Sequence, residues 1–348
     1  MIRLQRTMLA GLQDAVPNPA AVIDALQNAV ELEHATIPVY LYALYSLDES
    51  KNPLIAQILQ SVVIEEMLHM TLASNVLSAL GGDSQVGNPG FVPPFPGPLP
   101  GGVESDLTVH LAPFSMAQLQ VFLQIEQPED PLQFPVRTEA MSDTITIGEF
   151  YTAISQAIGQ LGDGAFVKPP RYQVGPDLMY ESVIVTDVAS AQQALQIIIE
   201  QGEGTSTSPE EIDGDAVAHY YRFNQIAKGK LLVATPGQPP GWAYAGAPVT
   251  FDASGVYAVP TDPNTPPNAY PAGSAQAFAN DNFNYTYTSL LFALRDLFSG
   301  ANSDAQMNRA IGLMMSLKGQ AKAMMSGIPN PQVLTGPSFQ YQPVNPAG

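Results

Sequence analysis

Apolar residues recur at helical spacing along most of the chain, in stretches separated by belts rich in proline and glycine. This periodicity predicts helices over residues 19–47, 53–80, 116–124, 147–161, 187–201, 214–228, 274–298 and 303–325. Asn-Pro pairs stand at the start of the first two stretches and are typical of helix N-termini. Strand-like pieces are few, at 183–186 and in a predicted hairpin across 249–259. The pattern therefore predicts a mainly α fold with minor β structure.

The Pro/Gly belts lie at residues 81–114, 162–180, 202–214 and 235–273. They favour long ordered loops around one helical core over a string of separate domains. We therefore expect a single domain over residues 1–348. Its bundle core covers about 19–228, a loop and hairpin segment follows at 229–273, and a C-terminal helical hairpin occupies 274–327 before the tail.

The first predicted helix carries a glutamate within its apolar face. That face is formed by residues three or four positions apart, which are Val22, Leu26, Val30, Glu33, Ile37, Tyr40 and Leu44. A buried carboxylate without a partner is costly, and the chain has only 13 lysines and arginines. Glu33 is therefore either functional or a core-edge residue that is partly exposed or salt-bridged. Tyr40, two turns further along, is either a hydrogen-bond donor or radical relay behind such a site, or core filler.

The second predicted helix places an acid and a histidine side by side. Glu66 and His69 are three residues apart on its apolar face, so both side chains project from the same surface. A Glu-x-x-His pair on a buried face offers one carboxylate and one imidazole to a metal. The alternative for His69 is a hydrogen-bonded core histidine. Glu65, one residue off this face, is interpreted as lying outside the site or in a salt bridge.

Two further regions offer ligands, each with a structural alternative. Glu149 follows Thr146 by three residues, which is the spacing of a capping box, but its side chain could instead point inward. Glu200 ends an isoleucine-rich segment and His219 lies on an apolar stripe; the alternative is a solvent-exposed acid and a core histidine. Glu203 either replaces Glu200 as a ligand or braces the loop that follows.

Together these positions supply carboxylates and imidazoles from several predicted helices. The candidate metal ligands are Glu33, Glu66, His69, Glu149, Glu200 and His219. This set is close to that of carboxylate-bridged di-iron and di-manganese bundles, so we expect two iron ions, with manganese as the alternative. Of the four histidines, His34 follows Glu33 and is interpreted as a support behind the ligands, and His110 has no assigned role.

Composition narrows the classes of function. The absence of cysteine excludes disulfides, thiolate-ligated haem, cysteine-ligated iron–sulfur clusters and a thiol nucleophile. A net charge of −19 argues against nucleic acid as a partner, because phosphate recognition needs clustered lysine and arginine. No apolar run reaches the ~20 residues needed to cross a bilayer, and the first residues lack the apolar core of a secretion signal. We therefore expect a cytoplasmic protein that does not bind membranes.

Several motifs, in order along the chain, resemble a known family. They are residues 31–45 (ELEHATIPVYLYALY), 65–70 (EEMLHM), 146–151 (TIGEFY), 200–205 (EQGEGT), 219–223 (HYYRF) and 336–339 (GPSF). With these motifs the chain resembles the ferritin-like family that includes the iminophenylpyruvate dimer synthase domain of violacein biosynthesis. The resemblance covers most of the chain, from about residue 20 to 340.

The resemblance implies a ferritin-like four-helix bundle with extra C-terminal helices and long Pro/Gly-rich loops. It also implies that the family's ligand pattern falls on the six candidate ligands named above. One departure concerns Glu200 and His219, which are 19 residues apart around a Gly-rich insertion, where ferritin-like di-iron proteins carry a compact Glu-x-x-His. Glu203, three residues after Glu200, is therefore an alternative to His219.

The family resemblance also brings haem into consideration, because haem has been associated with that family. In a chain without cysteine, a haem iron would need histidine, tyrosine or methionine. Methionines are plentiful near the C-terminus, at Met314, Met315, Met324 and Met325. Haem is therefore the alternative cofactor to two non-haem irons.

Three functions follow from these patterns. The first is an oxidoreductase that uses a di-iron site with O2 or peroxide to oxidise a small organic substrate, such as an amino acid or imine. The second is a ferritin-like metal-binding protein or ferroxidase without an organic substrate, and the third is a scaffold that has lost the chemistry. The two C-terminal helices are interpreted as a hairpin packed on the bundle, with a homodimer surface or a haem pocket as the alternatives.

Overall fold

The computed structural model describes residues 4–101, 107–128, 144–204, 208–209, 217–237, 241–300 and 303–342. The helices in these residues are α1 (Pro19–Tyr45), α2 (Pro53–Ala79), α3 (Met116–Ile125), α4 (Ile147–Leu161), α5 (Val188–Glu203), α6 (His219–Lys228), α7 (Ala275–Phe298) and α8 (Asp304–Ser326). The strands are β1 (Leu4–Gln5), β2 (Thr144–Ile145), β3 (Lys230–Ala234) and β4 (Trp242–Pro248). They form two antiparallel pairs, β1 with β2 and β3 with β4. The expected mainly helical fold is confirmed.

The two longest helices, α1 and α2, form the centre of the molecule. Asn18 caps α1 by accepting a hydrogen bond from the Ala20 N–H, and proline occupies the first position of both helices. Both helices are buried over most of their length and pack along each other. A helix that is apolar on nearly all sides must be covered on all sides, which sets where the other elements pack.

The remaining helices cover this central pair. Helix α4 packs on α1, α5 packs on α2, and α4 contacts α5, which completes a four-helix bundle. Helices α3 and α6 contact each other, and α6 also contacts α2 and α5. Helices α7 and α8 form an antiparallel hairpin, with α7 against α2 and α8 against α1. The N-terminus of α6 therefore reaches α2, the central helix that carries Glu66 and His69.

The hairpin predicted across 249–259 is wrong. The hairpin of the structure lies earlier, in β3 and β4, and the segment after it packs on the loop between α1 and α2. There the Asn52 side chain donates to the carbonyls of Asp252 and Gly255 and accepts from the Asp252 N–H. The segment therefore satisfies its backbone groups through this side chain and through backbone hydrogen bonds to residues 46–48, directly after α1.

The strand predicted at 183–186 is also absent from the described residues. The Gln173 side chain bonds both the N–H and the carbonyl of Val185, and Asn75 donates to the carbonyl of Val183. These amides take the place of a neighbouring strand, because they supply the same donors and acceptors.

Of the predicted helix 214–228, residues 214–216 lie outside the described residues, and α6 begins at His219. Among the helices that the structure describes, none combines the length and the apolarity needed to cross a membrane.

Candidate metal centre

Four of the predicted ligands converge between α1, α2 and the start of α6. Glu33, Glu66, His69 and His219 are all buried, with His219 fully so. His219 Nδ1 lies 2.9 Å from Glu66 Oε1, and His69 Nδ1 lies 3.5 Å from Glu33 Oε2. The two imidazole rings stack with their centroids 5.3 Å apart. Residues from three helices thus place two carboxylates and two imidazoles in one buried cluster.

A third carboxylate, which the sequence did not predict as a ligand, also lies in this cluster. Glu126 lies directly after α3, and its Oε2 is 3.5 Å from His219 Nδ1. A carboxylate at the C-terminal end of a helix opposes the helix dipole, so an acid at this position suggests a role other than helix stability. That signal was present in the sequence, because Glu126 follows the predicted helix 116–124 and the apolar Ile125.

Hydrogen bonds fix which nitrogen of each imidazole faces the cluster. His69 Nε2 donates to Gln201 Oε1 at 2.9 Å, and His219 Nε2 donates to Glu65 Oε2 at 3.0 Å. In a neutral imidazole, a donating Nε2 leaves Nδ1 with the lone pair. Both Nδ1 atoms are the ones that approach the carboxylates, so in the neutral form that binds metals both lone pairs point toward the centre. Metal-binding histidines commonly have such an acceptor on the opposite nitrogen.

Hydroxyl groups hold the three carboxylates in the same way. Thr36 donates to Glu66 Oε2 at 2.8 Å, and Tyr151 and Tyr40 donate to Oε1 of the other two glutamates, Glu33 and Glu126. In each carboxylate the remaining oxygen is the one nearest a histidine Nδ1. Each of the five clustered side chains therefore has one atom held from outside and one atom directed inward.

Burial and mutual repulsion perturb the ionisation of the cluster. Burial raises the pKa of Glu66 to about 7, with the charges of Glu126 and Glu33 adding to the rise and the nearby His219 imidazole opposing it. Burial alone would lower the pKa of both histidines, but the carboxylates around them outweigh it. The pKa of His69 is raised by Glu33, and that of His219 is raised well above its usual range by Glu126, Glu65 and Glu66.

These shifts describe a cluster in which protons compensate the negative charge. A bound cation would do the same at these positions, because metal binding displaces protons from imidazole and carboxylate ligands.

The donor set fits a metal ion. Ligating atoms of Glu66, His69 and His219 lie within 4.8 Å of one another. His219 Nδ1 is buried and makes no hydrogen bond in this geometry, although two carboxylate oxygens lie nearby. Buried polar atoms are rarely left unpaired, and oxygens and a nitrogen that meet without hydrogen bonding are typical of atoms arranged around a cation.

Glu65 stands outside the cluster in an ion pair. Its two oxygens bind Arg222 at 2.7 Å and His219 at 3.0 Å. Burial opposes ionisation, but the hydrogen bond and charge of His219 and the charge of Arg222 lower the pKa of Glu65 to about 2. The salt-bridged position is one of the two that the sequence left open for this residue.

Two predicted ligands are not brought to the cluster. Glu149 is exposed, and its carboxylate accepts from the Thr146 N–H in a complete capping box. Glu200 is buried, but its carboxylate accepts from Gln196 on its own helix. The neighbouring Gln201 is the residue of α5 that reaches the site, through His69. The side chain of Glu203, the alternative to Glu200, lies outside the described residues.

His34 also points away from the cluster. Its Nε2 bonds the hydroxyl of Tyr287 on α7 at 2.7 Å, and its ring packs against Phe91. Burial lowers the pKa of His34 to about 3. The interpretation of His34 as a support behind the ligands therefore finds no contact in the structure.

A small cavity of about 50 Å³ lies against the cluster. Its walls include Glu33, Glu66, His69, Glu126 and Tyr151, together with apolar residues of α1, α4 and α5. One buried water needs roughly 10–15 Å³ of such volume, so the cavity has room for ions, waters or a diatomic molecule.

Comparisons with known proteins place this geometry in a family. The ferritin-like family model matches residues 26–228, which is more than half of the chain and contains all five clustered residues. A crystal structure of a ferritin-like protein from Caulobacter vibrioides has a TM-score of 0.62 and 26% sequence identity, and the match covers 94% of this chain and 99% of that one.

A curated relative, the dichlorochromopyrrolate synthase of Lentzea aerocolonigenes, is 25% identical over 254 residues. That match covers 59% of this chain, which spans only about a quarter of the relative's length. The resemblance inferred from the sequence motifs is confirmed at the level of the family and fold. The chain belongs to the ferritin-like family.

Proposed function

We propose that this protein is a metal-dependent oxidoreductase with a dinuclear iron centre held by Glu33, Glu66, His69, Glu126 and His219. The observation that carries the proposal is the arrangement of these five side chains. Each is held by a hydrogen bond at one atom and directs its other atom into a buried centre. Three carboxylates and two imidazoles are ligand types of dinuclear carboxylate sites in helical bundles, and they suit iron.

The roles of the residues follow from their positions. Glu66 lies on the same helix as His69, and its Oε1 is 2.9 Å from His219 Nδ1, so these three side chains would hold the irons together with Glu33 and Glu126. Two bound irons would supply one-electron and two-electron redox chemistry with O2 or peroxide. Tyr40 and Tyr151 hold protons at the outer oxygens of Glu126 and Glu33. Burial and the nearby carboxylates raise the pKa of both tyrosines well above its usual range, so these hydroxyls stay protonated and keep donating.

The organic substrate is proposed from the relative and not from the cavity. The Lentzea relative is a synthase by name, which supports a small organic molecule such as an amino acid or imine as the substrate. The cavity at the cluster, about 50 Å³, takes only a small oxidant. The organic molecule would therefore meet the site at its partly exposed rim, near Gln127, Ile147 and Gly202.

The size of this cavity also supports a second candidate function. A protein that binds iron and oxidises it with O2, without an organic substrate, needs space only for ions, oxidant and water. The two functions share the metal centre and differ in whether an added amine or amino acid changes the reaction.

Metal content tests the centre itself. The full chain, loaded anaerobically with ferrous iron and freed of excess by gel filtration, should hold about two irons per chain. Glu66→Ala and His69→Ala should each sharply lower that content while the protein still folds, because each removes an inward-facing ligand. Metal is measured by plasma mass spectrometry, and folding by circular dichroism.

Glu149→Gln is the matched control for these variants. It changes a glutamate that has ligand spacing in sequence but lies in the capping box, and glutamine preserves that box. Its iron content should equal that of the unmodified chain. Unchanged iron in both Glu66→Ala and His69→Ala would remove the centre as described.

Oxygen consumption then separates the two functions. The iron-loaded protein should consume O2 faster when a suitable amino acid or amine is added, and Glu66→Ala should not. Consumption that depends on ferrous iron alone, across a panel of amino acids and amines, would favour the ferroxidase. An intense Soret band in the purified protein would instead favour the haem alternative.

A further inference from the structure

A second and larger cavity, of about 200 Å³, lies between the bundle and the C-terminal hairpin. Residues of α1, α2, α7 and α8 form its walls, with Met179 and Leu178 from the loop before α5. It shares no lining residue with the small cavity at the metal centre. On α1 the two cavities face different sides, since Glu33 and Thr36 line the first, and His34 and Pro38 line the second.

The walls of this cavity are almost wholly apolar. Among the lining residues that the structure describes, none carries a charge. The polar side chains are Tyr45, Thr71, whose hydroxyl bonds the Met67 carbonyl of its own helix, and the hydrogen-bonded pair His34 and Tyr287. Such a lining disfavours a charged occupant, and disfavours haem, whose propionates need cationic or polar partners.

The histidine–tyrosine pair has unused hydrogen-bonding capacity. His34 is 3% exposed, and its Nδ1 has no hydrogen-bond partner. The Tyr287 hydroxyl engages His34 Nε2 and can form one more hydrogen bond. Because buried polar groups are normally satisfied, this pair marks the place where a polar group of an occupant would bind.

The volume and the adaptable walls point to a small molecule. Interiors are closely packed, and an apolar cavity of roughly 150 Å³ is already large enough to bind benzene. Five of the chain's 12 methionines line this cavity, at Met67, Met70, Met179, Met307 and Met314. Methionine adjusts to irregular shapes and makes favourable contacts with aromatic rings. Ile311 of α8 lines the cavity and is 47% exposed, so it separates the cavity from solvent on that side.

We propose that this cavity is a second ligand site, distinct from the metal centre, for a small neutral aromatic molecule with one hydrogen-bonding substituent. The ring lies among the methionine and leucine side chains, and the substituent lies at His34 and Tyr287. The site depends on the C-terminal hairpin, because α7 and α8 supply its outer walls.

Two isosteric probes test the proposal on the full chain. p-Cresol and p-xylene have nearly the same shape, but only p-cresol can form a hydrogen bond. With methionine methyl groups labelled with ¹³C, p-cresol should shift the signals of Met67, Met70, Met179, Met307 and Met314 in a saturable manner. Met8 and Met116, which lie outside the cavity lining, should not shift.

The difference in affinity between the two probes tests whether His34 and Tyr287 form the polar contact. We expect p-cresol to bind at least about tenfold more tightly than p-xylene, which corresponds to 1.4 kcal/mol. Equal affinity would overturn the assignment of His34 and Tyr287 as the polar contact. No saturable shift of the five methionines by either probe, up to the solubility limit, would overturn the site itself.

Neighbouring residues on α8 give a matched pair of variants. Met314 lines the cavity, whereas Met315 is 65% exposed and does not. Met314→Trp should fill the space and weaken p-cresol binding at least about tenfold, and Met315→Trp should leave it unchanged. Iron content should be unchanged in both, because neither residue contacts the metal centre. Equal p-cresol affinity in the two folded variants would contradict the proposal, and if Met314→Trp does not fold, the methyl spectra of the unmodified chain decide.

Discussion

At the scale of single residues, the outer hydrogen bonds decide what the buried cluster can bind. Without Gln201 and Glu65, either nitrogen of the two histidines could face inward. Without the hydroxyls of Tyr40 and Tyr151, two carboxylates could rotate and pair directly with the histidines. The residues around the cluster therefore set the orientation of the candidate ligands.

Tyr40→Phe tests this positioning role. Loss of its hydroxyl frees Glu126 to rotate, so we expect iron affinity to fall by about 10–100-fold. Tyr42→Phe is the control, since Tyr42 is equally buried two residues away but donates to the Pro260 carbonyl. Competition with a chelator of known affinity measures both. Equal affinities in Tyr40→Phe and Tyr42→Phe would contradict the role of the Tyr40 hydroxyl.

Sequence could select Glu33, Glu66, His69 and His219, because each interrupts an apolar helical face. Spacing alone cannot separate an inward-pointing carboxylate from one that caps its own helix. For this reason Glu149, which caps α4, was also predicted as a metal ligand. Residues outside helical periodicity escape such selection altogether. Glu126 follows the end of α3, and only the fold of the chain brings it to His219.

At the scale of elements, side-chain amides replace strands in this protein. Asn75 on α2 donates to the carbonyls of Val174 and Val183 and accepts from the Val174 N–H. The strand predicted at 183–186 has its apolar pattern because Val183 and Val185 pack against the bundle, and not because the segment pairs in a sheet. Sequence periodicity reports burial, and it does not report which group satisfies the backbone.

Asn75→Ala tests whether these side-chain hydrogen bonds to the backbone stabilise the fold. The variant leaves several buried backbone groups without partners, and each costs about 1–3 kcal/mol. We expect a lower free energy of unfolding by at least about 2 kcal/mol in urea titrations. Asn308→Ala, at an exposed position of α8, should change it by less than about 0.5 kcal/mol. Equal stability of the two variants would show that the Asn75 contacts are dispensable.

The long helices themselves were predictable to within a few residues. The predicted helices 19–47 and 53–80 correspond to α1 and α2, and their starts follow from Asn-Pro pairs. Their strong apolar content and the proline at the first position leave little choice of conformation. The order in which α3 to α6 pack around them is a property of the folded chain, and the sequence supplied it only through the family resemblance.

At the scale of the whole molecule, the cluster joins parts of the chain that are far apart in sequence. Helices α1 and α2, the end of α3 and the start of α6 each contribute side chains to it. The three neighbouring carboxylates repel one another when only protons and imidazoles compensate them. A metal that binds all four elements should therefore stabilise the folded chain as a whole.

Metal removal tests this coupling. Iron at about 100 times its dissociation constant should add about 2.7 kcal/mol to the free energy of unfolding and raise the melting temperature. Chelation should reverse the shift. Differential scanning calorimetry under anaerobic conditions measures it, with His69→Ala as the control that should not respond. A melting temperature that iron does not change would contradict a centre that joins these elements.

The most direct test of the account is the position of the metal. Crystals of the iron-loaded protein should show two anomalous-scattering peaks roughly 3.5–4 Å apart at the iron edge. We expect both within bonding distance of atoms from Glu33, Glu66, His69, Glu126 and His219, with none at Glu149. Peaks at Glu149 or Glu200, or no peak in a chain that retains iron in solution, would contradict the proposed centre.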